Sequence, residues 1–543
     1  MKKLAFITAL FMLSQLIYAG GLLTNTNQSA QFIRMMSRNA STGIDAVYFN
    51  PAGLTTMENG FHFAVYNQTI FQTKPVDSEF LLLNNGSYEG IVNVPVFPTA
   101  FAVYKMDKWA FSLGFGPNAG GGSADYERGL PSFEIPITKV VPGLAPLVQI
   151  DPAMNVTGYS ADIAFEGRSV FWGLQLGATY KVNDIFSVYG GVRYLPSKTT
   201  YQGYIQNIQL ELNNDQFVSA PSWLTGVSGT LGGQASQLEG VANDLQQYVP
   251  QGGSFTLSQL QNFGVITSAQ KAQLEGVLTG LGYNSSQVDA MNLETIQQTF
   301  AGTADQLSNV SQTLSGTAGM LGDKKVDTEQ TGNAFTPMLG INISPMENLN
   351  IGLKYEMKTS LTLKNTPNEG DNYSTTLFGD NVNSDIPAIL GAGVGYNTGL
   401  IEAQFSYTMY FNKDVNWGPN IRDRSAGHDV VRNREIDRNG MEFALGLQFN
   451  VLDNFAFSVG GMYGDMGIAE SYQSDFSYSN PSTTAGAGFA WNITDALTFD
   501  AGVSNTFYQD QTVSFNDPDL GLYREHLKKT TLNFAVGLSY SIF

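Results

Sequence analysis

Apolar and polar residues alternate in short segments along most of this chain, and this pattern constrains the fold more than any other feature. In residues 401–410 the apolar side chains occupy the odd positions and the polar ones the even positions, and residues 351–358 and 441–449 repeat the pattern. Successive side chains of a β-strand point to opposite faces, so each segment predicts a strand with one apolar face and one polar face. A strand needs about 9 to 11 residues to cross a membrane.

Fourteen segments of this kind follow one another. They lie at roughly 60–71, 96–106, 108–117, 158–181, 185–212, 334–344, 349–364, 385–397, 400–412, 440–450, 455–464, 481–493, 496–509 and 528–543. An even number of antiparallel strands closes a bacterial barrel with both chain ends on one side. The sequence therefore predicts an all-β fold, a transmembrane antiparallel β-barrel of about 14 strands.

The connections between these segments alternate strictly between short and long. The short ones, which contain Asn, Asp, Gly or Pro as tight turns do, lie at residues 106–108, 182–184, 345–348, 397–399, 452–454 and 494–495. We interpret them as periplasmic hairpins and the long connections as extracellular loops. The alternative is an exported soluble β-protein such as an adhesin or a propeller, but such a protein has no reason to separate the two classes of connection.

Composition narrows the kinds of site that the chain can build. It contains no Cys, which excludes a disulfide framework, a thiolate metal site and lipid attachment through a cysteine. Its three histidines, His62, His428 and His526, are scattered, so we expect no metal or other cofactor and no enzyme. The formal net charge of -19 at pH 7, without a basic stripe, disfavours a nucleic-acid partner.

The N-terminal residues have the form of a secretory signal. Lys2 and Lys3 precede an apolar run, and Ala19 stands before Gly20 at a small-residue cleavage position. A membrane anchor is the alternative, but the apolar run is too short, and no later run reaches the roughly 20 residues that a membrane helix needs. We therefore assign residues 1–19 to a signal peptide and expect a multi-pass barrel in the outer membrane of a Gram-negative bacterium.

The period of the pattern changes in the third long loop, within residues 213–333. Leucines and valines recur there at helical spacing, and Ser268 is placed as an N-cap, which predicts several short amphipathic helices. One interpretation is a self-packed cap that protects the barrel mouth. The other is that its apolar faces form a docking surface for a hydrophobic ligand.

Residues 20–58 precede the first strand and lack a spanning pattern. The segment is too small to fold alone, so its apolar residues need a host, and a barrel lumen is the available one. It ends in Asn50, Pro51, Ala52 and Gly53. Proline fixes its own φ and restricts the residue before it, while Gly53 allows a positive φ, which predicts a rigid turn close to the wall. An ordinary loop before a strand is the alternative.

Residues Ser37–Leu54, SRNASTGIDAVYFNPAGL, resemble the plug of the FadL/TodX family of outer-membrane transporters for long-chain fatty acids and other hydrophobic compounds. The strand count, the missing cysteines, the terminal Phe543 and the long helical loop after the fifth strand agree with this resemblance. The loop of about 120 residues is longer than is usual in the family. The resemblance implies that residues 20–58 form a hatch that plugs the lumen and that residues 59–543 form the barrel, with the extracellular helical insertion 213–333.

The resemblance also implies a route for the ligand. Loops capture it outside, the hatch blocks the lumen, and the ligand leaves sideways where the third strand is kinked, with the rigid turn of the hatch set against this bend. The candidate kink contains Gly116, Pro117, Gly120, Gly121 and Gly122. Proline removes a ladder donor and the glycines permit a bend. The alternative is the flexible start of a loop.

An anionic head group needs a cation inside the lumen. The candidates are Arg193, Lys354 and Lys358 on the inward side of strands, and Arg34 and Arg38 in the hatch. The alternative for each is a pair with a lumen carboxylate such as Glu356 or Glu402.

The leading function is therefore passive uptake of hydrophobic compounds, chiefly long-chain fatty acids. A general diffusion porin or a surface-binding protein is the alternative. We expect a monomer whose partners are the hydrophobic ligand, outer-membrane lipid and, during biogenesis, the barrel-assembly machinery, whose C-terminal signal the strand ending in Phe543 resembles. Phe543 departs from that signal because it falls on the opposite face from Phe534, Val536 and Tyr540.

Overall fold

The computed structural model of the protein describes residues 24–214, 216–423, 428–430, 436, 438–470 and 473–543. The predicted signal peptide and the first residues of the predicted hatch, 20–23, lie outside these residues. The described chain divides into two compact units. One contains the hatch and most of the sheet; the other is built from residues 137–161 and 206–323.

The described residues form 21 strands. These are β1 (Gly60–Ser78), β2 (Ser87–Met106), β3 (Trp109–Tyr126), β4 (Val156–Lys181), β5 (Phe186–Leu212), β6 (Gln216–Ser219), β7 (Lys324–Met346), β8 (Leu349–Glu356), β9 (Thr362–Pro367), β10 (Asn381–Ser384), β11 (Ile389–Asn397), β12 (Ile401–Tyr410), β13 (Trp417–Asp423), β14 (His428–Val430), β15 (Gly440–Leu452), β16 (Phe455–Asp465), β17 (Ser482–Asn492), β18 (Leu497–Tyr508), β19 (Gln511–Asp517), β20 (Gly521–Leu527) and β21 (Thr530–Ile542).

Helices occur in the N-terminal segment and in the long connections. They are α1 (Ala30–Met35), α2 (Ala46–Phe49), α3 (Pro131–Thr138), α4 (Val140–Leu144), α5 (Ala220–Gln246), α6 (Val249–Gly252), α7 (Leu257–Asn262), α8 (Ser268–Gly280), α9 (Ser285–Ala290), α10 (Leu293–Met320) and α11 (Ser374–Phe378), with 3-10 helices at Pro51–Thr56, Ala145–Gln149, Pro152–Met154 and Asn412–Asp414.

Fourteen of the strands build a closed antiparallel barrel: β1–β5, β7, β8, β11, β12, β15–β18 and β21. The last strand closes on the first, with Phe61 opposite Ile542 and Thr73 opposite Thr530. All six predicted short connections join barrel strands as tight turns, at the end of the barrel that we call the turn end. The predicted fold class is confirmed.

The barrel wall has an apolar exterior and a largely polar interior, as the alternation predicted. In β1 the outward Phe61, Phe63 and Val65 are 47%, 42% and 58% exposed, whereas the inward His62 and Tyr66 are buried. The large exposed residues of β21 likewise all point outward. This exterior matches a surface that faces lipid, where exposed apolar side chains carry no penalty.

The strands run further toward the long loops than the sequence predicted. β1 continues to Ser78 and β2 begins at Ser87, so residues that were assigned to a loop are paired, as Asp77 is with Ser87. The apolar alternation marks only the part of a strand that faces lipid. Beyond it both faces are polar, so the period that predicted the strands ends while the pairing continues.

The helical unit has its own apolar core. The long helices α5 and α10 run antiparallel, and Ser228 and Ser311 each donate from the hydroxyl to the other's carbonyl at 2.8 Å. The predicted apolar positions Leu238 and Leu278 are buried in this core. The N-cap of α8 is Thr267 and not the predicted Ser268, because Thr267 forms a capping box with the third helical residue.

The hatch, residues 24–58, packs against inward-facing glycines of the barrel wall. Its helix α1 begins at the N-cap Ser29, whose hydroxyl accepts a hydrogen bond from the Phe32 amide. The carbonyl oxygen of Met35 lies so close to the wall that a Cβ atom at Gly460 would be 2.0 Å away. A Cβ at Gly446 would be 2.2 Å from the same oxygen. At these two positions the hatch backbone reaches the wall because the wall has no side chain there.

This packing predicts that Gly460→Ala unseats the hatch. Overpacking of this kind typically costs about 1–3 kcal/mol, and we expect a clear increase in the ion conductance of single channels in planar bilayers. Gly461→Ala is the matched control, because its Cβ would meet its nearest atom, the Thr484 carbonyl oxygen, at an ordinary 3.7 Å. Equal conductance in the two variants would contradict the seating of α1 on this glycine.

Candidate functional site

The Asn-Pro-Ala-Gly turn of the hatch is anchored by its asparagine. Asn50 is fully buried, and its Nδ2 donates to the Ser41 carbonyl at 3.0 Å and to Asn342 Oδ1 on β7 at 2.7 Å. Its φ of −142° and ψ of 67° lie outside the α region, as expected before a proline. Gly53 does not have the positive φ that the sequence analysis allowed. It is needed because a Cβ would lie 2.6 Å from Asn50 Nδ2 and 2.9 Å from the Ser41 carbonyl oxygen.

The rest of the turn is held by the barrel wall. The carbonyl of Pro51 accepts from the Thr179 hydroxyl of β4 at 2.7 Å, and that of Ala52 accepts from the Ser187 hydroxyl of β5 at 2.6 Å. The turn is thus hydrogen-bonded to β4, β5 and β7. The resemblance placed this turn against the bend of the third strand. This is not what the structure shows, because a different part of the hatch bonds to that bend.

The glycine-rich segment after the third predicted strand lies inside β3 and not at the start of a loop. The register between β3 and β4 shifts between Pro117 and Ala119 and again between Gly120 and Gly122. Gly120 has a φ of +67°, which favours glycine. The strand is irregular at the residues that the sequence singled out.

The same irregularity interrupts the pairing between β2 and β3. Val92 pairs with Ala124, and the next pair toward the turn end is Ala100 with Phe115. The residues between these two pairs do not pair with each other across the two strands. The wall therefore has a gap in its hydrogen-bond ladder beside the bend of β3.

The first described residues of the hatch, Thr24–Gln28, bond to both sides of this gap; we call them the strap. The first of them forms an isolated antiparallel bridge with Ala119 of β3. The Gln28 side chain donates to the Pro117 carbonyl at 2.8 Å, and Thr99 of β2 donates from its hydroxyl to the Gln28 carbonyl at 2.8 Å. The strap thus supplies hydrogen-bond partners to the edges of β2 and β3 where these two strands do not pair with each other.

Both candidate cations of the hatch are in buried ion pairs. Arg34 Nε lies 3.0 Å from Asp500 Oδ1. Arg38 forms a bidentate pair with Asp45, with both distances 2.8 Å. Burial opposes ionisation of Asp45, but the Arg38 guanidinium and neighbouring hydroxyls together hold the pKa of this carboxyl below its usual value.

The candidate cations of the wall are also paired. Arg193 Nη1 lies 2.6 Å from Glu356 Oε2, and Lys354 Nζ lies 2.8 Å from the other oxygen of the same carboxylate. Lys354 also donates to the Tyr48 carbonyl at 2.5 Å and lies over the Tyr48 ring. This cluster fastens the hatch to the wall.

Lys358 lies 3.2 Å from Asp385 at the rim of the wall. Each of the five candidate cations therefore has a carboxylate of the chain as its partner, the alternative that the sequence analysis left open. Of the two carboxylates predicted as partners, Glu356 binds both Arg193 and Lys354. Glu402 instead accepts a hydrogen bond from the Gln404 side chain. A role in head-group binding stays a prediction for all five.

A cavity of about 500 Å³ fills the half of the lumen nearer the long loops. Lysines, aromatic rings and polar residues of the strap line it, and we call four further lining residues, Phe32, Met36, Glu442 and Met462, its floor. Its lining includes Lys74, Lys529, Tyr478, Tyr508, Phe32, Met36, Glu442 and Met462. This volume lies within the usual range for ligand sites.

The two lysines of this lining, Lys74 and Lys529, differ in their partners from the five candidate cations described above. Within the described part of the chain, neither Lys74 nor Lys529 has a carboxylate at ion-pair distance. Each instead lies over an aromatic ring, Lys74 4.9 Å from the centroid of Tyr478 and Lys529 4.9 Å from that of Tyr508. Burial, partly offset by Tyr508 and reinforced by the charge of Lys74, lowers the pKa of Lys529.

Neither of these lysines is among the cations predicted from the sequence. Lys74 fell within a segment assigned to a loop, although it continues the inward side of β1 past the bulge between Gln68 and Ile70. Lys529 has the same parity as the inward Asn533 and Ala535. Extending the strands by parity beyond the apolar part would have found both.

A second cavity, of about 870 Å³, lies at the turn end of the lumen. Charged and polar residues line it, including Arg34, His62, Glu402 and Asp500. Hatch residues contribute to the lining of both cavities. The hatch thus stands between a cavity with an apolar floor and a polar one.

Among the described residues, no helix is both long enough and apolar enough to cross a membrane. The described His, Asp and Glu side chains also form no group of three that could hold a metal ion.

Known structures provide an independent comparison. A FadL homologue from Pseudomonas aeruginosa superposes with a TM-score of 0.54 at 13% identity, covering 96% of this chain and all of that one. The toluene transporter TodX of Pseudomonas putida gives 0.50 at 12% identity over 96% of this chain and 99% of its own. A TodX mutant described as a monoaromatic hydrocarbon channel gives 0.51 at 13% identity, covering 95% and 99%.

Sequence comparison alone finds nothing comparable: no protein-family model and no curated protein matches. The likeness therefore lies in the barrel and its topology, at an identity too low to carry residue roles across. The chain has the fold shared by the FadL homologue and the toluene transporter TodX.

Proposed function

We propose that this protein is an outer-membrane channel for the passive uptake of hydrophobic compounds, and that its preferred ligands carry an anionic head group, as long-chain fatty acids do. The observation that carries this proposal is the cavity of about 500 Å³ in which Lys74 and Lys529 lie above a mostly apolar floor. A carboxylate beside two unpaired, partly buried lysines gains charge-assisted hydrogen bonds. The apolar chain of the ligand then contacts the floor.

The second part of the proposal is a sideways exit. The gap in the ladder between β2 and β3 lies beside this cavity, since the strap residues and Gly120 line it. When the strap leaves the gap, the ligand passes into the bilayer. An amphiphile is more stable in lipid than in the polar cavity at the turn end, so diffusion alone drives the step.

The hatch favours this function over a general diffusion porin. A porin needs a lumen open to water, whereas here a buried ion pair and several hydrogen bonds hold the hatch to the wall. Stable, large conductance of the unmodified protein would favour the porin. The neighbours named as a toluene transporter and a hydrocarbon channel agree with transport and with an absence of enzymatic activity.

The lysine site predicts a selective loss of anion uptake. In the double variant Lys74→Met and Lys529→Met, we expect uptake of labelled oleate into reconstituted vesicles to fall about tenfold, because a charged hydrogen bond contributes about 1.5–3 kcal/mol. Uptake of toluene should be unchanged. Lys198→Met is the control, since this lysine is exposed and paired with Glu329. Equal loss of oleate and toluene uptake would remove the head-group role.

The exit predicts that locking the strap stops uptake. The chain has no cysteine of its own, so Thr24→Cys with Ala119→Cys places one pair across the isolated bridge, where strands approach closely enough for a disulfide. We expect oxidised protein to bind oleate but not release it into the bilayer, and a reductant to restore uptake. Each single cysteine variant is a control. Full uptake by the oxidised double variant would show that the strap does not gate the exit.

A further inference from the structure

Glu442 is the exception in an otherwise apolar floor. It lies on β15 with its side chain buried, between Thr408 of β12 and Gly464 of β16. Phe32 and Met462 lie beside it in the lining of the cavity. A carboxyl in such surroundings is costly unless its oxygens have partners.

One oxygen of this carboxyl has a partner. The Tyr410 hydroxyl, itself buried, donates to Glu442 Oε2 at 2.8 Å. Within the described residues no donor reaches Oε1. Gly464 lies opposite and has no side chain to fill the space beside Oε1, since a Cβ at this position would lie 3.8 Å from this oxygen.

The nearby cations do not compensate. Arg193 and Lys354 are both bound to Glu356, and in the described part of the chain no ion pair involves Glu442. The cavity thus carries unpaired lysines at one end and a carboxyl with a free acceptor at the other.

We propose that Glu442 determines specificity by accepting a hydrogen bond from the deep end of the ligand. The preferred ligand class is an apolar chain with an anion at one end and a hydrogen-bond donor, such as a hydroxyl, at the other. Lys74 and Lys529 attract the anionic head group, so the ligand lies with its head at these lysines and its far end at Glu442. This inference rests on the proposed function.

The test uses matched pairs of ligands that differ only at the deep end. Octanoic, dodecanoic and hexadecanoic acids and their ω-hydroxy derivatives are bound to the full protein in lipid nanodiscs by equilibrium dialysis. We expect the hydroxy acid to bind about tenfold more tightly at the chain length that spans from the lysines to Glu442, as for the gain of one buried hydrogen bond. Shorter chains should show no preference.

Substitutions at Glu442 test whether this residue causes the preference for the hydroxy acid. Glu442→Met, of similar size, should abolish the preference for the hydroxy acid while the plain acid binds at least as tightly as before. Glu442→Gln, which keeps an acceptor, should retain a smaller preference. Glu402→Met is the control, because this glutamate lines the cavity at the turn end and should leave the preference intact.

The outcomes separate the two proposals. If wild-type protein binds plain and hydroxy acids equally at every length, or if Glu442→Met keeps the preference, the role of Glu442 is wrong while the proposed function stands. If wild-type protein binds neither kind of acid, the proposed function fails and this inference fails with it.

Discussion

The rest of the structure depends on one constraint: backbone amides and carbonyls that face lipid need hydrogen-bond partners within the protein. The closed ladder from β1 through β21 and back to β1 meets this requirement. The interruption between Val92 and Ala100 is therefore a weak place in the wall. The strap lies there and bonds to both strands, so the N-terminal segment completes the barrel as well as obstructing it.

The hatch is held in two different ways. From α1 onward, it fits against glycines of the wall and is fastened by buried groups such as Asn50 and the Arg34–Asp500 ion pair. Moving this part would leave buried charges without partners, which costs several kcal/mol. The strap is held mainly by neutral hydrogen bonds, each of which contributes only about 0.5–1.5 kcal/mol. The difference makes the strap the part that moves with the least cost.

The charged side chains of the lumen also fall into two groups, those paired with a carboxylate and those without such a partner in the described chain. Where the hatch meets the wall, cations and carboxylates neutralise one another, as Arg193 and Glu356 do. In the cavity nearer the long loops, Lys74 and Lys529 lie over aromatic rings instead. The paired charges stabilise the packing of the hatch against the wall, whereas the two lysines have no carboxylate at ion-pair distance among the described residues.

The sequence by itself determined the barrel. Alternation of apolar and polar residues is imposed locally by lipid on one side and the lumen on the other, so each strand could be recognised alone and the six tight turns followed. It also marked Asn50 and the bend at Pro117. It could not show how far β1 and β2 extend, because pairing beyond the lipid-facing part leaves no apolar period.

Only the tertiary structure decided what each charged side chain meets. Lys354 and Lys74 look alike along the chain, yet one is bound to Glu356 and the other faces a cavity. Likewise, Gly460 is needed because the Met35 carbonyl of the hatch packs against it, and local preferences do not reveal this contact. Strand formation follows from near neighbours, whereas partners across the lumen are set by closure of the barrel around the hatch.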